Sequence, residues 1–291
     1  LLGQHILLKG TIHEDRIIDC VIHFAAYTNA RESFKEPLLY YENNVFESAN
    51  LLEILCDKDI LKKRKSIEPI PIIFSSSCAT YGIPKELPIV ESCIQKPISP
   101  YGKTKLIVEM MIKDLAYSSN LRSVILRYFN AAGASTDSLI GEDHNPETHL
   151  IPLVIKGALG IEKEIKIFGK DHPTFDGTCI RDYVHVEDLA NAHVLALERL
   201  IIKNNVLENP YKNYLEYNVG TSKGVSVLHI IKTVEKLIGK VPYQFVDKRD
   251  GDPPILIANS KKIKSELGWE PKFKKIDTII YHAFNWIKKV N

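Results

Sequence analysis

The sequence contains no apolar run of the roughly 18 to 20 residues needed to span a bilayer, so no membrane span is expected. Its N-terminus lacks the build of a secretory signal. Neither sign of charge dominates: 38 basic and 36 acidic residues leave a formal net charge of +2, which gives no electrostatic case for nucleic acid or an anionic membrane surface. The one basic run, Lys62-Lys63-Arg64-Lys65, lies between a helical stretch and Pro69 and reads as a solvated loop. Cysteine is sparse. Cys20, Cys56, Cys78, Cys93 and Cys179 are odd in number, widely spaced and free of C-x-x-C, so neither a disulfide framework nor a cysteine zinc site is expected, and a reducing cytoplasm fits. None of the 15 glycines forms a G-x-G-x-x-G turn. Internal repeats and low-complexity linkers are absent. The chain opens on Leu rather than Met, so a fragment is expected.

What is present is an ordinary globular composition, 45% hydrophobic and 25% charged, in 291 residues, enough for one large or two moderate domains. Ile6-Leu7-Leu8 is a candidate strand ending at Gly10. Residues 19 to 26 form a short β-branched run closing on Ala25 and Ala26, as in a buried parallel strand. Glu32 to Leu55 reads as helical, with Leu38, Val45, Ala49, Leu51, Leu52 and Leu55 on an apolar face. A second buried strand, residues 70 to 74, runs into Ser75-Ser76-Ser77, either a polar turn or hydroxyls at a strand's carboxyl end, where open α/β sheets bind ligands. A helix from Tyr101 to near Asn120 and a strand over 123 to 129 continue the alternation, the signature of a doubly wound parallel sheet. Beyond Gly133 come a polar, turn-rich stretch, a helix over 151 to 159 and an exposed strand at 165 to 168. A loop over 170 to 178 and a helix over 188 to 200 follow. The remaining expected elements are strands at 217 to 220 and 243 to 246, and helices at 227 to 237, 260 to 267 and 276 to 290. His144, Glu147 and His149 invite a metal reading, but Pro146 opposes a helix through them and their spacing matches no zinc motif, so no metal is expected.

The stretch that organises the chain is Ser99-Pro100-Tyr101-Gly102-Lys103-Thr104-Lys105. Ser99 is a candidate cap and Pro100 suits a first helical position, so Tyr101 and Lys105 share one face of a helix, four residues apart. A phenol with a free pKa of about 10 acts as a base near neutrality only if its anion is stabilised, which a neighbouring ammonium does. Spacing alone does not separate this from a surface pair. Tyr81 and Lys85 have it too, but Pro84 lies between them and breaks any helix there.

Ordered blocks along the chain give the dyad its context: His23-Phe24-Ala25-Ala26, Glu32-Ser33, Tyr40-Tyr41 with Asn43-Asn44, Phe74 to Ser77, and Arg127 to Asn130. Gly141 to Asp143, Asp176 to Thr178, Arg181 to Tyr183, Asn218 to Gly220, and Arg249 with Gly251-Asp252 complete the set. Together these resemble the extended short-chain dehydrogenase/reductase family, and within it the UDP-glucose 4-epimerases. The resemblance implies a Rossmann-like domain over residues 1–133, lacking its N-terminal strand, turn and helix, to which 181–200 return, and a smaller α/β UDP-sugar domain over 134–180 and 201–291. It implies NAD as cofactor, UDP-glucose and UDP-galactose as partners, and interconversion by reversible C4 hydride transfer through a 4-keto sugar. Tyr101 takes the C4 hydroxyl proton, Lys105 lowers the phenol's pKa and binds ribose, and Ser77 holds the same sugar hydroxyl. Phe24, Ala25, Ala26, Asn43, Ser75 and Phe129 would line the cofactor. Asn130 reaches the phosphates, Arg181 and Arg249, with Asp252 nearby, clamp the diphosphate, and Leu150 and Phe168 contact uridine. A homodimer paired through the long helices begun near Glu32 and Tyr101 is also implied.

Departures from the pattern bear on the cofactor. The glycine turn and the acidic residue after the second strand are missing, Thr11 stands where an Asp is usual, and Thr28 where some members have Lys. The segment from Gly10 to Asp19 is short for the helix expected there, so a chain starting at Leu1 is expected to hold NAD poorly. A 4,6-dehydratase would need an acidic pair where Cys78 and Ala79 stand. Cys78-Ala79-Thr80-Tyr81 also suits a UDP-pentose 4-epimerase, whereas Gly141 to Glu147 and Thr148-His149-Leu150 favour the hexose enzymes, and bulky Leu256 favours unacetylated sugars. A non-catalytic remnant that binds UDP-sugar is the reading from another class.

Overall fold

The computed structural model describes residues 18–63, 66–201, 213–249 and 252–291 and carries the expected alternation of strand and helix. The strand read at Ile6 to Leu8, Gly10, Thr11 and the short segment ahead of Asp19 lie outside the described residues, apart from Ile18. So do Arg64, Lys65 and Gly251. The chain divides into two compact units. Leu1–Gly82, Ile94–Arg127 and His193–Tyr217 make the first; Ile83–Cys93, Tyr128–Ala192 and Asn218–Asn291 make the second.

In the first unit β1 (Val21–His23) pairs in parallel with β2 (Ile72–Ser77), Val21 opposite Ile72 and His23 opposite Phe74. With β3 (Ser123–Tyr128) and β7 (Tyr214–Val219) they form a sheet in the order β1-β2-β3-β7. This is an α/β, Rossmann-like parallel sheet with flanking helices. Strand β2 is apolar on both faces because both are covered: Ile72, Ile73 and Phe74 are buried. By contrast β1 ends the described sheet, and Ile22 is 38% exposed, so the expectation of a fully buried strand is corrected.

The long helical stretch is real but interrupted. α1 (Ala30–Lys35) is capped by Asn29, whose Oδ1 accepts from the N–H groups of Arg31 and Glu32. Pro37 has no N–H to continue that helix and instead opens α2 (Pro37–Tyr41). One π-helical turn, Glu42–Phe46, leads into α3 (Glu47–Cys56). Leu51, Leu52 and Leu55 face the core as their spacing predicts, whereas Leu38 is 80% exposed, a second correction. α4 (Lys58–Lys63) takes Lys62 and Lys63 into a helix where a loop was expected. α5 (Pro100–Ser118) packs Val108 and Ile112 on a cluster with Leu51, Leu55, Ile72, Phe74 and Ile125.

In the second unit β4 (Asn130–Ala132) and β10 (Ile255–Leu256) flank β6 (Ile180–His185) in parallel, and β8 (Gly224–Ser226) pairs with β6 antiparallel. β5 (Ile165–Phe168) and β9 (Tyr243–Val246) form a separate parallel pair. Three helices close the core: α6 (Leu150–Ala158), α8 (Val227–Leu237) and α10 (Ile276–Val290). The buried Ile276, Ile279, Ile280, Ala283 and Ile287 of α10 recur at helical spacing, and Ile165 and Ile167 join the same cluster. The strand expected to be exposed therefore buries one face. α7 (Val186–Ile201) follows β6, and α9 (Lys261–Leu267) ends at Gly268, φ +69°, a left-handed stop that suits glycine. All five cysteines are free thiols. Among the described residues no helix is long and apolar enough to cross a membrane.

Candidate active site

The start of α5 is fixed by its cap: Ser99 Oγ accepts from the Gly102 N–H at 3.0 Å, with Pro100 at the first helical position. Tyr101 therefore sits in the first turn, its N–H donating to the buried Ser33 Oγ at 3.1 Å. One turn on, Lys105 is 3% exposed. Its Nζ donates to the Ser75 carbonyl at 2.9 Å and lies 4.9 Å from the centroid of the Phe74 ring. Burial lowers its pKa to about 8, against the nearby Glu109 carboxylate, which raises it.

Ser77 closes β2 and caps the short turn Cys78–Thr80, its Oγ accepting from the Ala79 N–H at 3.1 Å. That turn lies against the turn bearing Tyr101. A Cβ on Gly102 would stand 2.6 Å from the Ala79 carbonyl oxygen, so only glycine admits this approach. Ser75 joins two partners, Lys105 at its carbonyl and His193 Nε2 at its hydroxyl, 3.0 Å away. The Phe24 ring, 56% exposed, packs on His193 with centroids 4.7 Å apart. Ala25 is exposed and Ala26 half-buried at the end of β1, so little side chain covers the backbone there. Asn43 donates to Asn44 Oδ1 at 2.9 Å, and the buried Asn44 bonds both main-chain groups of Tyr27 and the Thr104 hydroxyl.

In the second unit Phe129 is buried, its N–H bonded to the Val219 carbonyl at 3.1 Å, and Asn130 stands opposite Tyr183 of β6. The Arg181 guanidinium pairs with Asp252 and also donates to the Ile180 carbonyl. Arg249 stacks on Phe168, its guanidinium carbon 3.4 Å from the ring centroid. Leu150 begins α6, half-buried on the core. Next to Arg181, Asp182 is fully buried and accepts from the N–H groups of Thr221, Ser222 and Ala258 and from the Thr221 hydroxyl. Burial raises its pKa to about 6 against those four donors.

Two groupings of side chains are not readable from sequence spacing. Arg127, in the middle of apolar β3, is fully buried and meets Glu109 of α5 through Nε and Nη2, the shortest contact 2.7 Å. It also donates to Tyr81, Gln95 and Glu216, while Glu109 Oε1 accepts from Ser76 Oγ. A charge inside an apolar strand was the signal for it. The second group is Glu142, His144, Glu147 and His149, which the loop brings together without a helix, one ligand atom of each within 4.8 Å of the others.

Small residues and hydroxyls at the ends of parallel strands, with a tyrosine and a buried lysine one helical turn apart beside them, define a nucleotide-cofactor α/β protein equipped to move a proton at a carbinol. The chain belongs to the NAD dependent epimerase/dehydratase family, whose model matches residues 7–212. It is 45% identical over 283 residues to the UDP-glucose 4-epimerase of Halalkalibacterium halodurans, covering 97% of this chain and 80% of that protein. Its fold matches the crystal structure of UDP-glucose 4-epimerase from Brucella ovis in complex with NAD at TM-score 0.82 and 44% identity, over 92% of this chain and 77% of that one. The Bifidobacterium longum enzyme, in complex with NAD+ and UDP, matches at TM-score 0.82 and 38% identity, over 94% and 78%.

Proposed function

We propose that the chain interconverts UDP-glucose and UDP-galactose as an NAD-dependent isomerase. The observation that carries this reading is the buried Lys105 ammonium, held by the Ser75 carbonyl one helical turn from Tyr101. A cation fixed there favours the phenolate, so Tyr101 takes the proton of the sugar C4 hydroxyl and returns it. Ser77, oriented by the Ala79 N–H, holds the same hydroxyl. Bound NAD would supply the hydride acceptor and donor at the sugar C4 that interconversion through a 4-keto sugar requires. The first unit's residues fit it: Ala25 and Ala26 leave the strand end open, and the Lys105 ammonium has three donors, of which Ser75 engages one, leaving others for a ribose diol. Phe24, Asn43 and Ser75 would complete its lining in this unit, and Phe129 is assigned to the cofactor on the resemblance alone.

Arg181 and Arg249 grip the diphosphate, Asp252 aligning the first and Phe168 supporting the second, while Asn130 and Leu150 contact phosphate and uridine. Residues 1–133 with 181–200 thus serve NAD, and 134–180 with 201–291 serve the UDP-sugar. The buried, bulky Leu256 favours unacetylated sugars. We also propose a cytoplasmic homodimer. Exposed Phe34, Leu39 and Phe46 on the helical stretch from Ala30, with Met110 and Tyr117 on α5, supply apolar surface for a second copy. The test is Tyr101→Phe. Conversion of UDP-galactose to UDP-glucose in the presence of NAD should fall by about 10²- to 10⁴-fold, the contribution of a positioned acid–base group. Wild-type turnover in that variant would overturn the assignment.

A further inference from the structure

The loop from Gly141 to His149 is built onto α10. A Cβ on Gly141 would meet the Trp286 indole at 2.2 Å, so glycine lets the loop lie flat on that ring, and Trp286 Nε1 donates to the Glu142 carbonyl at 2.9 Å. The loop then turns its donors inward. His144 Nδ1 is 3.0 Å from Glu142 Oε1 and 3.7 Å from Glu147 Oε1, and His149 Nδ1 contacts Glu142 Oε1 directly. The two imidazoles meet edge to face, 5.2 Å between centroids.

The Glu147 carboxylate is the informative member. Its side chain is 4% exposed, and Oε1 accepts from the N–H groups of Thr148 and His149 at 2.7 and 2.9 Å. Oε2 is buried with no hydrogen-bond partner. A buried carboxylate oxygen without a donor is costly unless a cation or a proton meets it. Two carboxylates and two imidazoles carry a formal charge of −2 when the imidazoles are neutral, which a divalent cation cancels. With metal–ligand bonds of about 2.0 to 2.1 Å, tetrahedral geometry sets ligand atoms roughly 3.3 Å apart; the His144 contacts stand at 3.0 and 3.7 Å and the whole set lies within 4.8 Å, so modest side-chain adjustment would close it on an ion.

We propose that Glu142, His144, Glu147 and His149 form a binding site for one divalent transition-metal cation, Zn²⁺ by the preference of a two-imidazole, two-carboxylate set, which ties the loop to the start of α6. The site lies outside the residues assigned to proton transfer, and its test needs no turnover. The alternative is a metal-free cluster in which protons on the imidazoles and on Glu147 supply the missing charge.

Untagged 291-residue protein is stripped with EDTA, dialysed and titrated with ZnCl₂ by calorimetry, with metal content read by mass spectrometry. One Zn²⁺ per chain and a Tm raised on reloading are expected. His144→Asn/His149→Asn and Glu147→Gln should each lose that site while keeping the wild-type circular dichroism spectrum. X-ray absorption of the zinc-loaded wild type reads the ligands without any variant, and a shell of nitrogen and oxygen alone is expected. No binding by the stripped chain, undiminished binding by the folded double variant, or a sulfur shell at about 2.3 Å would each overturn the proposal.

Discussion

Lys105 Nζ donates to the main-chain carbonyl of Ser75 across 2.9 Å, so α5 and β2 meet at a positive charge that is almost wholly withdrawn from water. The carbonyl orients the ammonium without neutralising it, and Glu109, one turn further along α5, bonds to Arg127 rather than to the lysine. What remains is a cation that favours an anion on the neighbouring turn.

Lys105→Met should therefore reduce turnover by about 10² or more while changing affinity for UDP little, since the lost interaction acts on the proton transfer. The pH dependence follows from the lowered pKa of about 8. The ammonium is lost as pH rises past that value, so turnover should decline above about pH 8. Stability should move the other way. Between about 8 and the ordinary lysine value of 10.5 the unfolded chain holds this proton and the folded chain does not, so raising pH favours folding. Comparing urea unfolding of wild type and Lys105→Met at pH 7.5 and 9.5 checks this: the wild type should gain on the variant at the higher pH. A constant difference would contradict the assigned pKa.

Much of this was legible in the sequence because it rests on local chemistry. Ser99 and Pro100 announce the helix that carries Tyr101 and Lys105, and the apolar run ahead of Ser75 announces a strand that delivers serines to its end. Strands of two or three residues, β4, β8 and β10, are too short to display alternation. β6 hides because its buried Asp182 looks like surface until the donors of Thr221, Ser222 and Ala258 are known. Arg127 is buried for the same kind of reason, its partners coming from positions 81, 95, 109 and 216. His144, Glu147 and His149 lack helical spacing, and their proximity is hidden in the sequence because this loop brings the side chains together through main-chain turns.

The Arg127–Glu109 pair gives a stability prediction. Both side chains are inaccessible: Arg127→Met leaves the Glu109 carboxylate buried without its guanidinium and should cost about 3 to 5 kcal/mol, whereas Glu109→Gln leaves Arg127 its Glu216 partner and should cost less. The second substitution made on top of the first should cost far less. A double-mutant cycle by urea unfolding checks this, and additive costs would show that the two charges do not depend on each other.

His23 is held neutral in the fold. Burial first, and the Lys105 charge second, lower its pKa to about 4, while its Nε2 hydrogen-bonds the Ser48 hydroxyl at 2.9 Å. Between about 4 and the ordinary value of 6.5 the unfolded chain takes up a proton that the folded chain refuses. The His23 contribution to stability should fall as pH drops through that window and stay level above it. His23→Gln removes this contribution, so its deficit relative to wild type should shrink from pH 7 to pH 5 in urea unfolding. An equal deficit at both values would place the titration elsewhere.

Gly102 tests whether the proton-transfer residues depend on the close approach of two turns. Its missing side chain lets the Ala79 carbonyl come within a distance that no Cβ tolerates, 2.6 Å, and this main-chain oxygen and the Pro97 Cβ, next at 3.0 Å, cannot rotate away. Gly102→Ala must then push the Cys78–Thr80 turn, and with it Ser77, away from the turn that carries Tyr101. The helix itself gains from the change, because alanine is favoured over glycine in a helical turn by roughly 1 kcal/mol. Much of the steric cost is thereby offset in stability but not in geometry. A displacement of about 1 Å in a catalytic group costs on the order of 10² in rate. Turnover of UDP-galactose should accordingly drop about 100-fold while the urea midpoint shifts little. A variant that loses stability and rate in proportion would mean that the contact holds the fold together and has no separate part in aligning Ser77 with Tyr101.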